Sequence, residues 1–389
     1  MTKENARPDA AAGNNLPCTG TEEFIVGGAV RDLLLGRTPR ETDVAFTGTV
    51  EGFICRNPSA RKAGNDFPIC ILGGVEFAPL RDGNIFTDLL KRDFTMNALA
   101  LEQTGRIFAH PHAFEDLRNK VIRTASTTSL HDDPVRVFRA ARFAATFADF
   151  TIHEDTLGQM RAVAAEGRLL SATPERVCGE ILKALETPAP GQFLRVLAQG
   201  QCLSPWFAEL AGADTIPAGP LPYHRENVLE HTAQVMDRCA GNPAAAYMAL
   251  CHDLGKMLTP ADMLPRHHGH DATGEEAATR LGIRLKLPGK LIRAGALAAR
   301  HHMKGANYKA LRPGTRVDML SALGSSQLPA FAALVLADSG EAVTRRMEHD
   351  MKTILAVRLP DHLHNLGPES GARLRELRCA ALLRHDQIA

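Results

Sequence analysis

The feature that most limits the fold is a change of hydrophobic period near residue 124. Before it, short apolar runs alternate with glycine turns. Phe24-Ile25-Val26 precedes Gly27-Gly28, a second strand is expected over Asp43 to Phe46, and 66–81 reads as a hairpin around Gly73-Gly74. A helix is expected from Ala29 to Leu35 with Gly36 as its cap, and RDFTMNALALEQTGRIFAH reads as a helix or turn leading into another strand. After residue 124, DDPVRVFRAARFAATFA, PERVCGEILKALE and GQFLRVLAQGQCL repeat at helical spacing, and strand signals nearly vanish. Thr173-Pro174-Glu175 supplies a hydroxyl cap, a first-position proline and a first-turn acid for one of these helices. The expected class is α+β: a mixed sheet over 22–123, then all-α regions over 124–222 and 223–389, with a Pro/Gly-rich linker near 213–224. Residues 1–21 read as a disordered tail.

At 389 residues the chain exceeds one ordinary core. Its 45 basic and 44 acidic side chains exclude a globally basic surface, so any nucleic-acid site has to be a local patch. Eight cysteines without a C-x-x-C pair argue against a zinc ribbon or a disulfide framework and read as buried thiols in a reducing cytoplasm. No apolar run reads as a membrane span, and the first residues have no hydrophobic signal core, so a cytoplasmic protein without a membrane partner is expected.

The candidate chemistry begins at Gly27-Gly28. A glycine turn between strand and helix lets backbone amides approach a phosphate, and Arg31 would stand on the first helical turn beside it. A plain turn is the ordinary reading of a lone Gly-Gly pair. Glu41 and Asp43 are spaced i, i+2, which on a strand puts both carboxylates on one face, where they can hold Mg²⁺ together with substrate phosphate oxygens. Alone, that spacing is as readily a polar turn before a strand.

The order IVGGAVRDLLLG, ETD, KRDFTMNALA, DDPVRVFRAARFA, PERVCGEILKAL and ALCHDLGK closely resembles the class II tRNA nucleotidyltransferase family, the CCA-adding enzymes and their poly(A) polymerase relatives. The resemblance implies a polymerase-beta-like nucleotidyltransferase palm, a helical neck and body that select the base and bind tRNA, and a C-terminal HD domain. It implies that Gly28, Arg31, Arg92 and Asp93 contact the nucleotide and that Glu41 and Asp43 bind Mg²⁺, with Glu76 as the third catalytic carboxylate. The family has Asp where this chain has Glu41. A structural ion pair is the plainer reading of Arg92 and Asp93, and a surface acid that of Glu76.

In DDPVRVFR, Asp133, Arg136 and Arg139 are three residues apart and would share a helix face. In the resembling family the aspartate and the first arginine read the incoming base. Cytosine and adenine each present an amino donor beside a ring-nitrogen acceptor, matching an Asp acceptor beside an Arg donor; uracil and guanine present the reverse. Asp132, where the family commonly has Glu, is not the reader. The expected partners are thus the tRNA 3′ end, CTP and ATP, with no obligatory protein partner. The segment after Glu76 is reduced to RDGNIFTD, and in the family loss of a flexible loop there accompanies enzymes that stop after CC. A CC-adding enzyme is the first alternative, a poly(A) polymerase the second, and a phosphohydrolase with an RNA-binding front half the third.

The C-terminal region resembles the HD phosphohydrolase superfamily. His231, His252, Asp253 and Asp338 stand at family-like positions for one divalent transition metal whose identity is not readable from the ligands. Lys256 follows the pair, and His267, His268, His270, His301 and His302 lie where further ligands or phosphate contacts occur. A hydrogen-bonded core His-Asp pair is the plainer alternative. Arg373, Arg375, Arg378 and Arg384 in the last helical stretch could meet tRNA phosphates, although a solvated face is the simpler reading.

Overall fold

The computed structural model describes residues 22–64, 68–222 and 224–386, so the tail expected over 1–21 lies outside the described residues. The chain divides into two compact units, one ending at Leu117 and the other beginning at Arg118.

The first unit is built on a seven-stranded sheet. Its strands are β1 (Glu23–Val26), β2 (Asp43–Phe46), β3 (Arg61–Ala63), β4 (Ile69–Leu72), β5 (Val75–Pro79), β6 (Leu99–Glu102) and β7 (Ile107–Ala109), in the order β3-β4-β5-β2-β1-β6-β7. Only β2 and β5 pair in parallel; every other neighbouring pair is antiparallel, which makes the sheet mixed, as expected. A parallel pair needs a crossover. Here the chain between β2 and β5 includes the helix Val50–Arg56, whose Phe53 packs its ring 4.6 Å from Phe46 and 4.8 Å from Phe77. The expected first helix spans Gly28–Leu34, one residue earlier than the pattern predicts, and the hairpin turns at Gly73-Gly74.

The second unit is helical apart from a two-residue parallel pairing of β8 (Val121–Ile122) with β9 (Thr151–Ile152), which period alone does not announce. The helix Val135–Thr146 buries Val135, Phe138, Ala141 and Phe143 and packs on the helices Pro174–Leu185 and Gly191–Gln199. Pro174 opens its helix as expected. Thr173, however, accepts the first amides through its backbone carbonyl, with no side-chain cap bond.

Two further expectations are corrected, on apolar run length and on the cysteines. The helix Pro313–Ser339 is, by length and composition, long and apolar enough to cross a membrane, against the reading that no run is. It is a core helix: 56% of its most apolar window is buried within the protein, and Gly324 breaks its helical geometry. The stretch expected as a linker near 213–224 is anchored at points, with Ala213 and Ala218 buried and Val228 N–H donating to Ile216 O at 2.8 Å. Of the described cysteines, Cys70, Cys202, Cys239 and Cys251 are buried, but Cys55 is exposed. On the last helix, Arg373 and Arg375 lie on a solvated face, the simpler of the two readings, where Arg375 forks onto Asp318 at 2.6 and 2.8 Å and Arg373 pairs with Glu376, while Arg378 donates to Ile354 O.

Among the described residues, the most deeply buried ion pair away from any site joins the helices Pro313–Ser339 and Thr344–Ala356. Asp350 is fully buried, and its Oδ2 accepts from Arg316 Nη1 and Tyr308 Oη, each at 2.8 Å. Removing one partner of a buried pair strands the other charge. Asp350→Ala is expected to destabilise this unit by about 3–5 kcal/mol, seen as a lower midpoint in urea titration; Asp350→Asn, which keeps an acceptor, should lose less.

Candidate functional site

In the first unit, chemistry gathers where β1 ends. Gly27 turns with φ +71°, and a Cβ there would stand 3.0 Å from Arg92 Nη1; a Cβ on Gly28 would stand 3.3 Å from Arg31 Nη2. The glycine pair therefore lets two guanidiniums close on one turn. Arg31 is buried and held by Asn97 Oδ1 at 2.6 Å and Asp32 Oδ1 at 2.7 Å. Arg92 pairs at 2.9 Å with Asp88, one helical turn before it. The Asp93 carboxylate accepts from Phe94 N–H and Asn97 Nδ2, which fixes the residue that fixes Arg31. Asp93 thus orders the turn. Fixed guanidiniums beside a backbone turn suit phosphate oxygens.

The palm acids are arranged differently from the expectation. β2 begins at Asp43, so Glu41 lies ahead of the strand and alternation does not put it on Asp43's face. The residue that strand geometry does bring to Asp43 is Glu76, its register partner across the parallel β2–β5 pair, and partners in neighbouring strands project from the same face. Glu41, Asp43 and Glu76 are all exposed. Among the described residues, three groups of histidine and carboxylate ligand atoms lie within 4.8 Å of one another, and the palm acids are not among them.

Asp133, Arg136 and Arg139 do not share a helix face either. The helix starts at Val135, and Asp133 is extended (φ −143°, ψ 96°) ahead of Pro134, as the residue before a proline tends to be. Asp133 and Arg136 are nonetheless brought together, with Arg136 Nε 4.0 Å from Asp133 Oδ2. Arg139 lies 3.9 Å from Glu180, which Arg142 holds at 2.5 Å. Asp132 accepts from Thr128 Oγ1. Sequence reasoning missed Arg176, whose guanidinium grips the Asp133 carboxylate at 3.0 and 2.7 Å from a helix some forty positions on, too remote for any local pattern to link.

The densest constellation is in the C-terminal helices, where His231, His252, Asp253 and Asp338 converge as expected. His231 Nε2 is 3.3 Å from Asp253 Oδ2 and 3.1 Å from Asp338 Oδ1; His252 Nε2 is 3.2 Å from Asp253 Oδ2. Of the further histidines, only His270 and His302 join, each Nε2 lying 3.5 Å from the other Asp253 oxygen, Oδ1. His267 is spent on Thr259 and on Pro217 O, His268 is exposed, and burial pushes the half-buried His301 down to about 4, leaving it neutral. Gly255 makes the approach possible. A Cβ on it would lie 1.9 Å from His270 O, so only glycine lets the helix His270–Arg284 come this close.

Each converging histidine has its Nδ1 against an oxygen: Glu226 for His231, Ala249 O for His252, His267 O for His270 and Ala299 O for His302. That contact fixes each ring and keeps a proton on Nδ1, so that Nε2 is the nitrogen a metal would take. Glu226, also contacted by His224, is another residue that sequence reasoning missed. Burial alone would raise its carboxyl, but hydrogen bonding to His224 and the backbone holds it at about 2. Asp253 is buried, and neither of its oxygens has a properly aligned hydrogen-bond donor, although Lys256 Nζ stands 2.6 Å from Oδ2 as an ion pair. Burial would lower His252, yet Asp253 and Asp338 raise it to about 10. The field that draws a proton there draws a metal cation equally, and imidazole plus carboxylate is a transition-metal donor set. The residues fit a divalent ion, with Asp253 placed to serve two histidine pairs.

Three family models match the chain: "Poly A polymerase head domain" over residues 23–66, "Probable RNA and SrmB- binding site of polymerase A" over 149–213, and "HD domain" over 223–339. Among solved structures, the chain is similar to a Thermotoga maritima CCA-adding enzyme complexed with tRNA, at 22% identity and TM-score 0.64, covering 92% of this chain and 86% of that one. It is also similar to a CCA-adding enzyme in complex with ATP, at 21% identity and TM-score 0.65, covering 91% and 86%. These likenesses establish the fold. The multifunctional CCA protein of Halorhodospira halophila is 31% identical over 403 aligned positions, 93% of this chain and 96% of that protein. That of Methylococcus capsulatus is 32% identical over 409, covering 93% and 94%. With that identity sustained over nearly the whole length of both partners, the chain belongs to the multifunctional CCA protein family.

Proposed function

We propose that this chain is a template-independent tRNA nucleotidyltransferase that builds the 3′-terminal CCA from CTP and ATP, with a separate metal-dependent phosphohydrolase centre in its HD domain. The observation that carries the reading is its likeness, over 93% of its length, to proteins named for CCA, in a chain whose palm places Asp43 beside Glu76 and two arginines on a glycine turn. Asp43 and Glu76, with Glu41 reaching from ahead of the strand, would hold Mg²⁺. Bound there, Mg²⁺ would polarise the attacking 3′-hydroxyl and offset charge on the departing pyrophosphate. Arg31 and Arg92 bind the triphosphate oxygens; Asp133 and Arg136 accept from and donate to the edge shared by cytosine and adenine. Because phosphoryl transfer is mainly positioning and charge stabilisation, these groups suffice without a covalent intermediate.

One observation favours the CC-adding alternative. The segment after β5 is closed by its own bonds: Arg81 donates to Lys91 O at 2.7 Å, Lys91 pairs with Asp82 at 2.6 Å, and Asn84 caps the helix Ile85–Leu90. A single experiment separates the readings. The protein is incubated with tRNA lacking CCA, ending in C or ending in CC, with CTP and ATP separately and together, and the 3′ ends are sequenced. Completion to CCA is the expected result; arrest at CC selects the alternative, and ATP-only tails on other RNAs select a poly(A) polymerase. Asp43→Ala should abolish incorporation, and retained activity would refute the metal assignment.

In the HD domain, His231, His252, Asp253 and Asp338 would hold one divalent metal and Asp253, His270 and His302 a second. Metal bound there would supply a Lewis acid for phosphoester hydrolysis. Histidine Nδ1 contacts fix the ligands, and Glu226 orients His231. His252→Ala or chelation by a transition-metal ligand is expected to remove hydrolysis of 2′,3′-cyclic nucleotide phosphates, while Mg²⁺-supported nucleotide addition survives His252→Ala. Loss of both activities together, with the fold intact by circular dichroism, would overturn the assignment of two separate centres.

A further inference from the structure

The pair assigned to base selection has a third member. Asp133 stands ahead of its helix on extended backbone, from which a carboxylate can still swing about its own axis. A carboxylate offers about four acceptor lone pairs. Arg176 takes one on each oxygen, Nη1 to Oδ1 at 3.0 Å and Nη2 to Oδ2 at 2.7 Å, and the Val135 amide takes the second on Oδ1 at 3.2 Å. One acceptor direction is left, on Oδ2. That is the oxygen beside Arg136 Nε, and Arg136 is itself steadied by its Nη1 donating to Ser129 Oγ at 2.8 Å.

We propose that Arg176, on the helix Pro174–Leu185, is the positioning residue of base selection: its two-pronged grip leaves Asp133 a single acceptor beside the Arg136 donor. This rests on the reading of Asp133 and Arg136 as the base readers. Cytosine and adenine need one acceptor next to one donor, in that order. Without the grip the carboxylate can rotate or tilt, and the donor–acceptor order that rejects uracil and guanine is no longer enforced. The Arg176 side chain is 55% exposed and Asp133 26%, and an ion pair that open adds little to folding stability. The value of the contact is therefore orientation.

The test compares wild type, Arg176→Ala, Arg176→Lys, Asp133→Ala and the double variant Arg176→Ala/Asp133→Ala. Each is given tRNA lacking CCA and one nucleotide triphosphate at a time, and kcat and KM are measured together with the thermal midpoint. Arg176→Ala is expected to cut the preference for CTP over UTP by about tenfold or more, with an unchanged midpoint. Arg176→Lys, which keeps the charge but loses the fork, should recover only part of it. The double variant should discriminate no worse than Asp133→Ala, because Arg176 acts through Asp133. Wild-type discrimination by Arg176→Ala, alongside relaxed discrimination by Asp133→Ala, overturns the role of Arg176 and leaves the base readers standing. Losses that multiply in the double variant also overturn it. Wild-type discrimination by Asp133→Ala removes the base-reader reading itself.

Discussion

A carboxylate taken out of water must be answered by charge, and in the second unit that requirement falls on Asp253. It is 2% exposed and ringed by His231, His252, His270, His302 and Lys256. Each group arrives from a different stretch of chain. The helix Val228–Arg238 brings His231, the end of Pro243–Cys251 brings His252, His270–Arg284 and Gly289–Ala306 bring the remaining two histidines, and Pro313–Ser339 brings Asp338. Burying a charge with one poor partner costs several kcal/mol; here the carboxylate faces four imidazoles and the Lys256 ammonium at once. The helices of this unit are arranged so that the ring closes.

The palm follows the opposite strategy. Its acids are exposed at strand ends, and its arginines are restrained by neighbours in the fold. A buried ring favours a resident metal held by protein ligands. Exposed carboxylates suit a hard ion that keeps water and shares its coordination with substrate phosphates. The two units thus present two distinct electrostatic designs in one chain: a buried, closed ring of imidazoles and carboxylates, and an exposed group of acids beside restrained arginines.

Periodicity and turn chemistry made most of the architecture legible: the shift from strands to helices, the glycine turn after β1, the hairpin and the proline-initiated helix all follow from local rules. What escaped the sequence depends on tertiary contact. Glu41 looked like Asp43's partner because spacing was the only available measure, whereas the parallel β2–β5 register delivers Glu76. Asp133 looked helical because DDPVRVFR has helical spacing, yet Pro134 excludes the residue before it. Five histidines outside the HD pair were equivalent in the sequence. Tertiary contacts separate them: Gly255 lets the helix carrying His270 approach, His302 on the next helix meets His270 Nε2 at 3.1 Å, and His267 is turned onto Thr259 and Pro217 O.

The stretch near 213–224 carries the same lesson further. Proline and glycine gave it the composition of a linker, but a hinge requires a segment with few contacts. Here Ala213 O accepts from Leu229 N–H, Pro217 O lies 2.8 Å from His267 Nε2, and Ala218 O accepts from Lys256 Nζ at 2.8 Å. The last bond matters most, because the same ammonium ion pairs with Asp253. A buried lysine that divides its donors between the Asp253 carboxylate and a backbone carbonyl ties the segment to the charge balance of the histidine ring. The segment is therefore one wall of that ring, and its prolines and glycines serve the tight path around it.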